Sequence, residues 1–160
     1  MISKEPTPAL DEVDAALLDI LQKNGRTKRN DLAGMVGLSL PSVSDRLKKL
    51  EEGGLITEYR AILDPKRAGY DITAFIFVSV DSSKHYGSFI EHAHAAEGIL
   101  ECHAVTGEGT HLLKVRTANT SALEKLLAKI QSWQGVLGTR SSVVLSTSKE
   151  ETRLKIHNSK

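Results

Sequence analysis

The sequence predicts an α+β protein with two domains: an N-terminal helix-turn-helix domain and a C-terminal domain with a ferredoxin-like βαββαβ order. In the first third of the chain, apolar residues recur at helical spacing in three short segments separated by glycines. In the remainder, β-branched runs alternate with helical patterns in the order strand, helix, strand, strand, helix, strand. We expect the first domain to span residues 1–64, a hinge to follow at 65–71, and the second domain to span 72–160.

The first two helices are indicated by apolar spacing and by residues that favour helix ends. Asp11 and Asp14 lie in the first turn of helix 1, where the helix dipole favours anions, and Asn24-Gly25 ends it. Thr27 is the predicted cap of helix 2, and Gly37 ends that helix. The apolar positions of helix 1 are Leu10, Val13, Leu17, Ile20 and Leu21.

The third helix is predicted to begin at Ser39 and to end at Gly53-Gly54. Pro41 is compatible with its first turn, where backbone amides have no acceptor within the helix. The inward stripe comprises Val43, Leu47 and Leu50.

The opposite side of the third helix is polar and carries side chains that hydrogen-bond base edges and phosphates. This side is predicted to present Ser42, Asp45, Arg46 and Lys49. A solvated helix surface has a similar composition, so the preceding turn decides between the two readings. Gly37-Leu38-Ser39 has the length and the glycine of a helix-turn-helix, whose second helix enters the major groove.

Local charge supports the DNA reading, although the whole chain is nearly neutral. The chain has 21 Lys and Arg against 20 Asp and Glu, whereas residues 26–49 contain six basic and two acidic residues. After the third helix, Tyr59 to Leu63 alternates like a short strand. This pattern predicts a winged variant of the motif, with Arg60 as a phosphate contact.

The segment GRTKRNDLAGMVGLSLPSVSDRLKKLEEGGLITEYRAILDP resembles the DNA-binding segment of the Lrp/AsnC family of transcription regulators. The resemblance implies a sequence-specific regulator that binds double-stranded DNA as a homodimer or larger assembly. Lys28, Arg29 and Arg60 would hold phosphates, while Ser42, Asp45 and Arg46 would face bases. The full predicted DNA-binding set is Lys28, Arg29, Ser39, Pro41, Ser42, Ser44, Asp45, Arg46, Lys49 and Arg60.

The second domain is predicted from strand and helix patterns of ordinary length. Its elements are a strand at 72–80, a helix at 85–97, strands at 99–106 and 112–117 joined by a glycine-rich turn, a helix capped by Ser121, and a strand at 139–147. Pairing residue 106 with residue 111 would place Glu101 opposite Arg116. It would also point Leu100, Cys102, Ala104, Leu113 and Val115 at the helices. The back of the sheet is then free, which favours dimerisation through that face.

The stretches ECHAVTGEGTHLLKVR and GVLGTRSSVVLSTSKE resemble the ligand-binding hairpin and the last strand of the same family. The resemblance implies an amino acid or related small effector, bound where neighbouring dimers meet in tetramers or octamers. The implied pocket residues are Thr106, Gly107, Glu108, Gly109, His111, Thr139 and Ser141. Gly109 and Thr110 stand where the family often has an acidic residue, and His111 stands where it often has a tyrosine. This departure predicts an effector other than leucine or asparagine, or none.

Other classes of function are disfavoured by the sequence. The histidines lack ligand spacing: His92 and His94 point in different directions on a helix, and His103 and His111 fall on opposite faces of the hairpin. We therefore expect ordinary surface and hairpin histidines, no metal and no cofactor. Catalysis is disfavoured because the required constellations are missing. Cys102 is the only cysteine and no signal or membrane-spanning run is evident, which predicts a cytoplasmic protein. The alternative is a non-catalytic oligomeric effector-binding module without specific DNA binding.

Overall fold

The computed structural model describes residues 10–156, which divide into two compact units. Among the described residues, one unit consists of 10–62 together with 150–156, and the other spans Leu63–Lys149. The three helices of the first unit and the four-stranded sheet of the second confirm the predicted α+β class. Within residues 10–156, no helix combines the length and the apolar character needed to cross a membrane.

The first unit contains α1 (Glu12–Lys23), α2 (Arg29–Val36) and α3 (Leu40–Glu52). Asp11 caps α1 by accepting a 2.8 Å hydrogen bond from the N–H of Asp14, whose carboxylate in turn accepts from the N–H of Asp11. This reciprocal capping box satisfies two amides that the helix itself leaves unpaired. The two acidic residues singled out in the first turn therefore define the start of α1.

The turn between α2 and α3 follows the predicted motif. Gly37 ends α2 with φ of 68°, a left-handed conformation that glycine adopts without steric cost. The hydroxyl of Ser39 then accepts from the N–H of Ser42 at the start of α3. The start of α2 differs from the prediction: Thr27 does not cap the helix, because its hydroxyl donates to the carbonyl of Asn24 at 2.7 Å.

The three helices bury one aliphatic core, as their apolar spacing predicts. Burying a side chain of the size of Leu or Val contributes about 1.5–3 kcal/mol, and these contacts hold the short helices together. The buried residues are Leu17, Leu18, Leu32, Ala33, Val43, Leu47 and Leu50.

Two expectations about the ends of this unit are wrong. The segment from Tyr59 to Leu63 is not a strand, because a strand needs a hydrogen-bonded neighbour and none of the described residues pairs with it. Residues 150–156, assigned by the sequence to the second domain, belong to the first unit instead. Leu154 exchanges two hydrogen bonds with the side chain of Gln22, and Ile156 packs against the helical core.

The second unit contains the elements β1 (Ile72–Val80), α4 (Tyr86–Ala95), β2 (Ile99–Ala104), β3 (His111–Thr117), α5 (Thr120–Gln131) and β4 (Val136–Val143). A short 3-10 turn, Ser83–His85, precedes α4. The strands form one antiparallel sheet in the order β2-β3-β1-β4. Asn119, rather than Ser121, caps α5, because its side chain accepts from the N–H of Ala122.

Both helices pack on one face of the sheet, where Phe89 of α4 and Ile130 of α5 meet the buried side chains of β1. Those side chains alternate along the strand and are Ala74, Ile76, Val78 and Val80. The opposite face carries the intervening residues, including Phe75 and Phe77, which stay half-buried.

The hairpin register differs from the predicted one by two residues. Glu101 lies opposite Lys114 rather than Arg116, and the two side chains form an ion pair at 3.4 Å. A two-residue slip leaves the faces unchanged, so Cys102 still shares the helix side with Leu113. Leu100 is the exception: the register shifts between Ile99 and Glu101, and Leu100 is 50% exposed.

Candidate DNA interface and effector site

The outward side of α3 is centred on Pro41, Asp45 and Lys48, which lie opposite the buried stripe of Val43 and Leu47. Ser42 and Lys49 flank this centre on one side and Ser44 on the other. Of these residues, only Ser44 is half-buried and the others are exposed. The face is therefore open, and it lies directly after the tight turn at Gly37.

Asp45 is exposed and forms no hydrogen bond or ion pair within residues 10–156. Its neighbours one turn away are cationic: Lys48 pairs with Glu52 at 3.7 Å, and Lys49 extends from the exposed face. A carboxylate thus occupies the middle of a face whose other charged groups include two lysines.

Arg46 does not belong to this open face, contrary to the sequence interpretation. Its guanidinium donates to Asp11 at 2.7 Å and to Asp14 at 2.8 Å, and its side chain is 31% exposed. These two hydrogen bonds, led by the one to Asp14, raise the pKa of Arg46. Arg46 is thus committed to the capping box of α1. The prediction failed because helical spacing fixes only the position of the Arg46 Cα and Cβ atoms. The rest of the long side chain extends toward α1 and contacts two carboxylates there.

Ser39 and Ser42 serve the start of α3 as well as its outer surface. Their hydroxyl oxygens lie 2.8 Å apart, while the oxygen of Ser39 also accepts from the N–H of Ser42. Both side chains are exposed, so Ser42 retains access to solvent while it supports the cap. Because the side chain of Ser42 is small, another molecule can approach the backbone of α3 closely at this position.

The remaining predicted cations are exposed. Lys28 and Arg29 lie at the start of α2, and Arg60 pairs with Glu58 at 3.1 Å in the segment after α3. Lys48 is absent from the predicted set although its side chain is 70% exposed. Lys48 would have been identified if the positions i+3 and i+4 on the helix had been counted from Asp45 instead of Ser42.

The hairpin loop between β2 and β3 is docked on the end of β1. Thr110 donates its N–H to the carbonyl of Val78 at 2.9 Å, and its hydroxyl accepts from the N–H of Val80 at 3.1 Å. A Cβ at Gly109 would lie only 3.0 Å from the carbonyl oxygen of Val78, so a larger residue there would require the backbone of β1 to shift by a few tenths of an ångström. The preceding residues Thr106, Gly107 and Glu108 are exposed.

His111 is buried, which contradicts both its place in the predicted pocket and its description as an ordinary hairpin histidine. The residue is 1% exposed, and its ring lies 4.8 Å from the Tyr86 ring and 4.7 Å from the Phe89 ring. Its Nδ1 contacts the Thr110 hydroxyl at 2.9 Å, whereas Nε2 has no hydrogen-bond partner within residues 10–156. Burial lowers the pKa of His111. Alternation directs it inward, because it shares the face of Leu113 and Val115.

The last strand contributes to both faces of the sheet. Thr139 lies opposite Val78, and Ser141 lies opposite Ile76, so both side chains are on the helix side. The hydroxyl of Thr139 accepts from the side-chain amide of Gln131 at 2.7 Å. These two predicted pocket residues thus face a different side of the sheet from Arg140 between them.

Arg140 is a functional candidate that the sequence interpretation missed. Its guanidinium pairs with the carboxylate of Glu108 in the hairpin loop and lies 5.3 Å from the centre of the Phe77 ring. Both members of the pair are more than half exposed. Glu108 and Arg140 are distant in sequence, and only the sheet order, with β1 between β3 and β4, brings them together.

Among residues 10–156, no group of three or more His, Cys, Asp and Glu side chains has the geometry to hold a metal ion. His92 stacks on Trp133 with ring centres 5.3 Å apart. Cys102 is half-buried, and burial raises the pKa of its thiol. These groups have packing contacts and do not converge on one point.

Comparisons with known proteins agree with this architecture. Residues 10–57 match the model for a winged helix-turn-helix DNA-binding domain, and residues 73–154 match that for the Lrp/AsnC ligand-binding domain. The transcriptional regulator FL11 of Pyrococcus abyssi is 36% identical over 148 residues, covering 92% of this chain and 97% of the relative. The leucine-responsive regulatory protein of Escherichia coli K12 is 35% identical over 158 residues, covering 96% and 95%.

Solved structures show the same likeness. A Neisseria meningitidis transcriptional regulator in complex with L-Met has a TM-score of 0.86 and 33% identity, covering 91% of this chain and 96% of that one. A feast or famine regulatory protein of M. tuberculosis complexed with L-methionine has a TM-score of 0.86 and 30% identity, covering 92% and 100%. The chain belongs to the Lrp/AsnC family of transcription regulators.

Proposed function

We propose that this regulator reads double-stranded DNA by placing α3 in the major groove. The observation that carries the proposal is the open, polar face of α3 around Asp45, which follows directly on a helix-turn-helix turn. Pro41, Ser42, Ser44 and Asp45 lie in the first half of α3, the part of a recognition helix that contacts base edges. Ser39 supports this end of the helix as its cap.

The phosphate backbone would be contacted by cations around the reading face. Lys48 and Lys49 lie on α3, and Lys28 and Arg29 lie at the exposed start of α2. Arg60 would have to exchange its ion pair with Glu58 for a phosphate. Contacts of this kind hold the helix in register and contribute affinity for any sequence.

The test is DNA binding by fluorescence anisotropy, first with the region upstream of the protein's own gene and then with unrelated DNA. Lys49→Ala should weaken binding to both and reduce the slope of log K against log salt by about 1. Lys125→Ala is the matched control, because Lys125 is exposed on α5 in the other unit. Equal slopes for the two variants would argue against α3 as the DNA-binding helix.

We further propose that the sheet domain binds an amino acid or a similar small effector at the hairpin loop. The two solved relatives that are complexed with L-Met or L-methionine support this class of ligand. The candidate residues are Thr106, Gly107, Glu108 and Gly109 of the loop, with Thr139 and Ser141 of β4 as more distant candidates. Successive backbone amides near glycines suit a carboxylate.

The Glu108–Arg140 pair supports an exchange mechanism. An α-amino acid carries an ammonium group and a carboxylate, which match Glu108 and Arg140 respectively. Binding would replace one exposed ion pair within the chain by two contacts of opposite charge with the ligand. An exposed pair contributes little to stability, so separating it costs little.

A thermal-shift screen of the twenty amino acids tests this proposal, because a ligand that binds the folded chain raises its unfolding temperature by mass action. Glu108→Gln should abolish the shift that the best amino acid produces. Glu97→Gln, a neutralised exposed glutamate elsewhere in the same unit, should preserve it. A shift that survives Glu108→Gln would place the effector elsewhere.

The back of the sheet is the proposed dimer interface. Phe75 and Phe77 lie half-buried on this face, which the helices leave uncovered. A second copy would cover both rings and carry a second α3, which fits pseudo-palindromic DNA sites with half-sites about one helical turn apart. We also propose that the dimers assemble further into a tetramer or octamer. The protein would act in the cytoplasm on chromosomal DNA.

A further inference from the structure

We infer that Asp45 is a specificity-determining residue of α3 that selects a cytosine in each half-site. The inference rests on the proposed position of α3 in the major groove. It concerns which base the helix reads, a question that the fold and the family leave open.

The position of Asp45 on α3 favours a role in reading a base. It lies at the centre of the outward face of α3, one turn after Pro41 and opposite the buried stripe. Its carboxylate is exposed and makes no hydrogen bond or ion pair in the part of the chain that the structure describes. No internal contact therefore accounts for an acidic residue at the point that would approach DNA most closely.

The chemistry of a carboxylate limits what it can contact there. An ionised carboxylate only accepts hydrogen bonds, and phosphates repel it. In the major groove, guanine presents two acceptors and thymine presents one acceptor and a methyl group, so neither base offers a donor. Adenine offers its N6 amino group beside the N7 acceptor, which repels a carboxylate. Cytosine offers its N4 amino group without such a neighbour, so it is the base that Asp45 suits best.

The commitment of Arg46 to α1 strengthens the argument. Arginine is the side chain that most often reads guanine, through its O6 and N7 atoms. Arg46 is instead held by Asp11 and Asp14 at 2.7 and 2.8 Å. Apart from its lysines and Glu52, the side chains left on the open face of α3 are short, and Asp45 is the only acidic residue in the first half of the helix.

An acidic reading residue also disfavours wrong sites. The lysines on either side of it attract any DNA, whereas an unsatisfied carboxylate in the groove penalises sequences that lack a donor at that position. Asp45 would thus reduce non-specific affinity while leaving affinity for the matching site intact.

The experiment is selection of binding sites from a library of random duplexes by the full-length wild-type protein and by Asp45→Asn. Asparagine has the same shape but suits adenine, to which it offers both a donor and an acceptor. In the selected DNA sites, we expect one position in each half-site to be cytosine for wild type and adenine for Asp45→Asn. The affinity ratio of the two sites should shift by about tenfold or more between the proteins. Asp45 is exposed, so the variant should fold, and equal unfolding curves verify this.

Asp31→Asn is the matched control, because it removes one exposed negative charge from α2 without touching α3. It should strengthen binding to all sequences and select the same bases as wild type. If wild type selects a site and Asp45→Asn selects the identical one, Asp45 does not read a base and the inference is overturned. If wild type selects no sequence, the proposed function itself fails.

Discussion

Arg46 of α3 donates a 2.8 Å hydrogen bond to Asp14, which is the third residue of α1 and the partner of Asp11 in the capping box that starts this helix. One ion pair thus joins the start of the first helix to the middle of the proposed recognition helix. The guanidinium and the N–H of Asp14 both contribute to lowering the pKa of Asp11, the N–H being the larger cause. The orientation of α3 against α1 is therefore set by polar contacts in addition to the apolar core.

Replacing Arg46 with alanine should destabilise the helical unit by about 1 kcal/mol, since the ion pair is only partly screened by solvent. Chemical unfolding followed by circular dichroism measures this. Lys23→Ala is the control, because it removes an exposed pair with Asp19 one turn away within α1 and should cost less.

A double-mutant cycle decides whether the effect of Arg46 is mediated by Asp14. Asp14→Asn in the Arg46→Ala background should add less destabilisation than it does in wild type. Strictly additive losses would mean that the two side chains do not interact in solution.

The buried ring of His111 predicts a dependence of stability on pH. Burial lowers the pKa of His111 from its ordinary 6.5, and no carboxylate within residues 10–156 pairs with the ring. The unfolded chain therefore binds a proton at a higher pH than the folded chain does. The free energy of unfolding is fully retained above about pH 6.5 and decreases as the pH falls from there toward the folded-state pKa.

Thermal unfolding between pH 5 and 8, roughly the range in which histidine titrates, measures this loss. His111→Phe should reduce it, because phenylalanine has no proton to bind and fits among the rings of Tyr86 and Phe89. An unchanged pH dependence in His111→Phe would assign the effect to other groups.

If the uncovered sheet face forms the proposed dimer interface, Phe77→Glu should disrupt the dimer, because a carboxylate would have to be buried between two sheets. Sedimentation should show a lower mass for this variant at concentrations where wild type is dimeric. Ile90→Glu is the matched control, since Ile90 is 38% exposed but lies on α4, on the other side of the sheet. Identical masses for wild type and Phe77→Glu would place the interface elsewhere.

Most helices and strands were predictable because burial imposes a period that the apolar residues must follow, although the last strand, predicted at 139–147, lies at Val136–Val143. Val43 and Leu47 mark the inner face of α3, and Ile76 and Val78 mark that of β1, as the sequence indicates. The hairpin register was not predictable from parity, because pairings that differ by two residues place the same side chains on each face. In the structure, the N–H of Val105 donates to the carbonyl of Thr110 at 3.0 Å and Ala104 lies opposite His111, which fixes the register of the hairpin.

The errors at the candidate sites have a common physical origin. Arg46 and His111 are polar, and polarity alone suggested exposure, yet one reaches an ion pair on another helix and the other replaces an apolar core residue. Arg140 was missed for the converse reason: its partner Glu108 is adjacent only through the order of the strands. The contacts of Arg46 and Arg140 depend on tertiary structure, which local patterns do not encode, whereas alternation along β3 would have placed His111 on the buried face.

The segment around Leu154 is held on the helical unit by the side chain of Gln22, which both donates a hydrogen bond to the backbone of Leu154 and accepts one from it. The amide nitrogen of Gln22 donates to the carbonyl of Leu154 at 2.9 Å, and its oxygen accepts from the N–H of Leu154 at 2.7 Å.

Gln22→Ala removes both hydrogen bonds and should release the segment around Leu154. Trypsin should then cleave faster after Arg153 and Lys155, because proteolysis follows the population of the open segment. Gln134→Ala, at an exposed glutamine of the sheet unit, should leave the cleavage rate unchanged. If Gln22→Ala and wild type are cleaved equally fast at these two positions, the hydrogen bonds do not hold the segment, and the packing of Ile156 remains as its anchor.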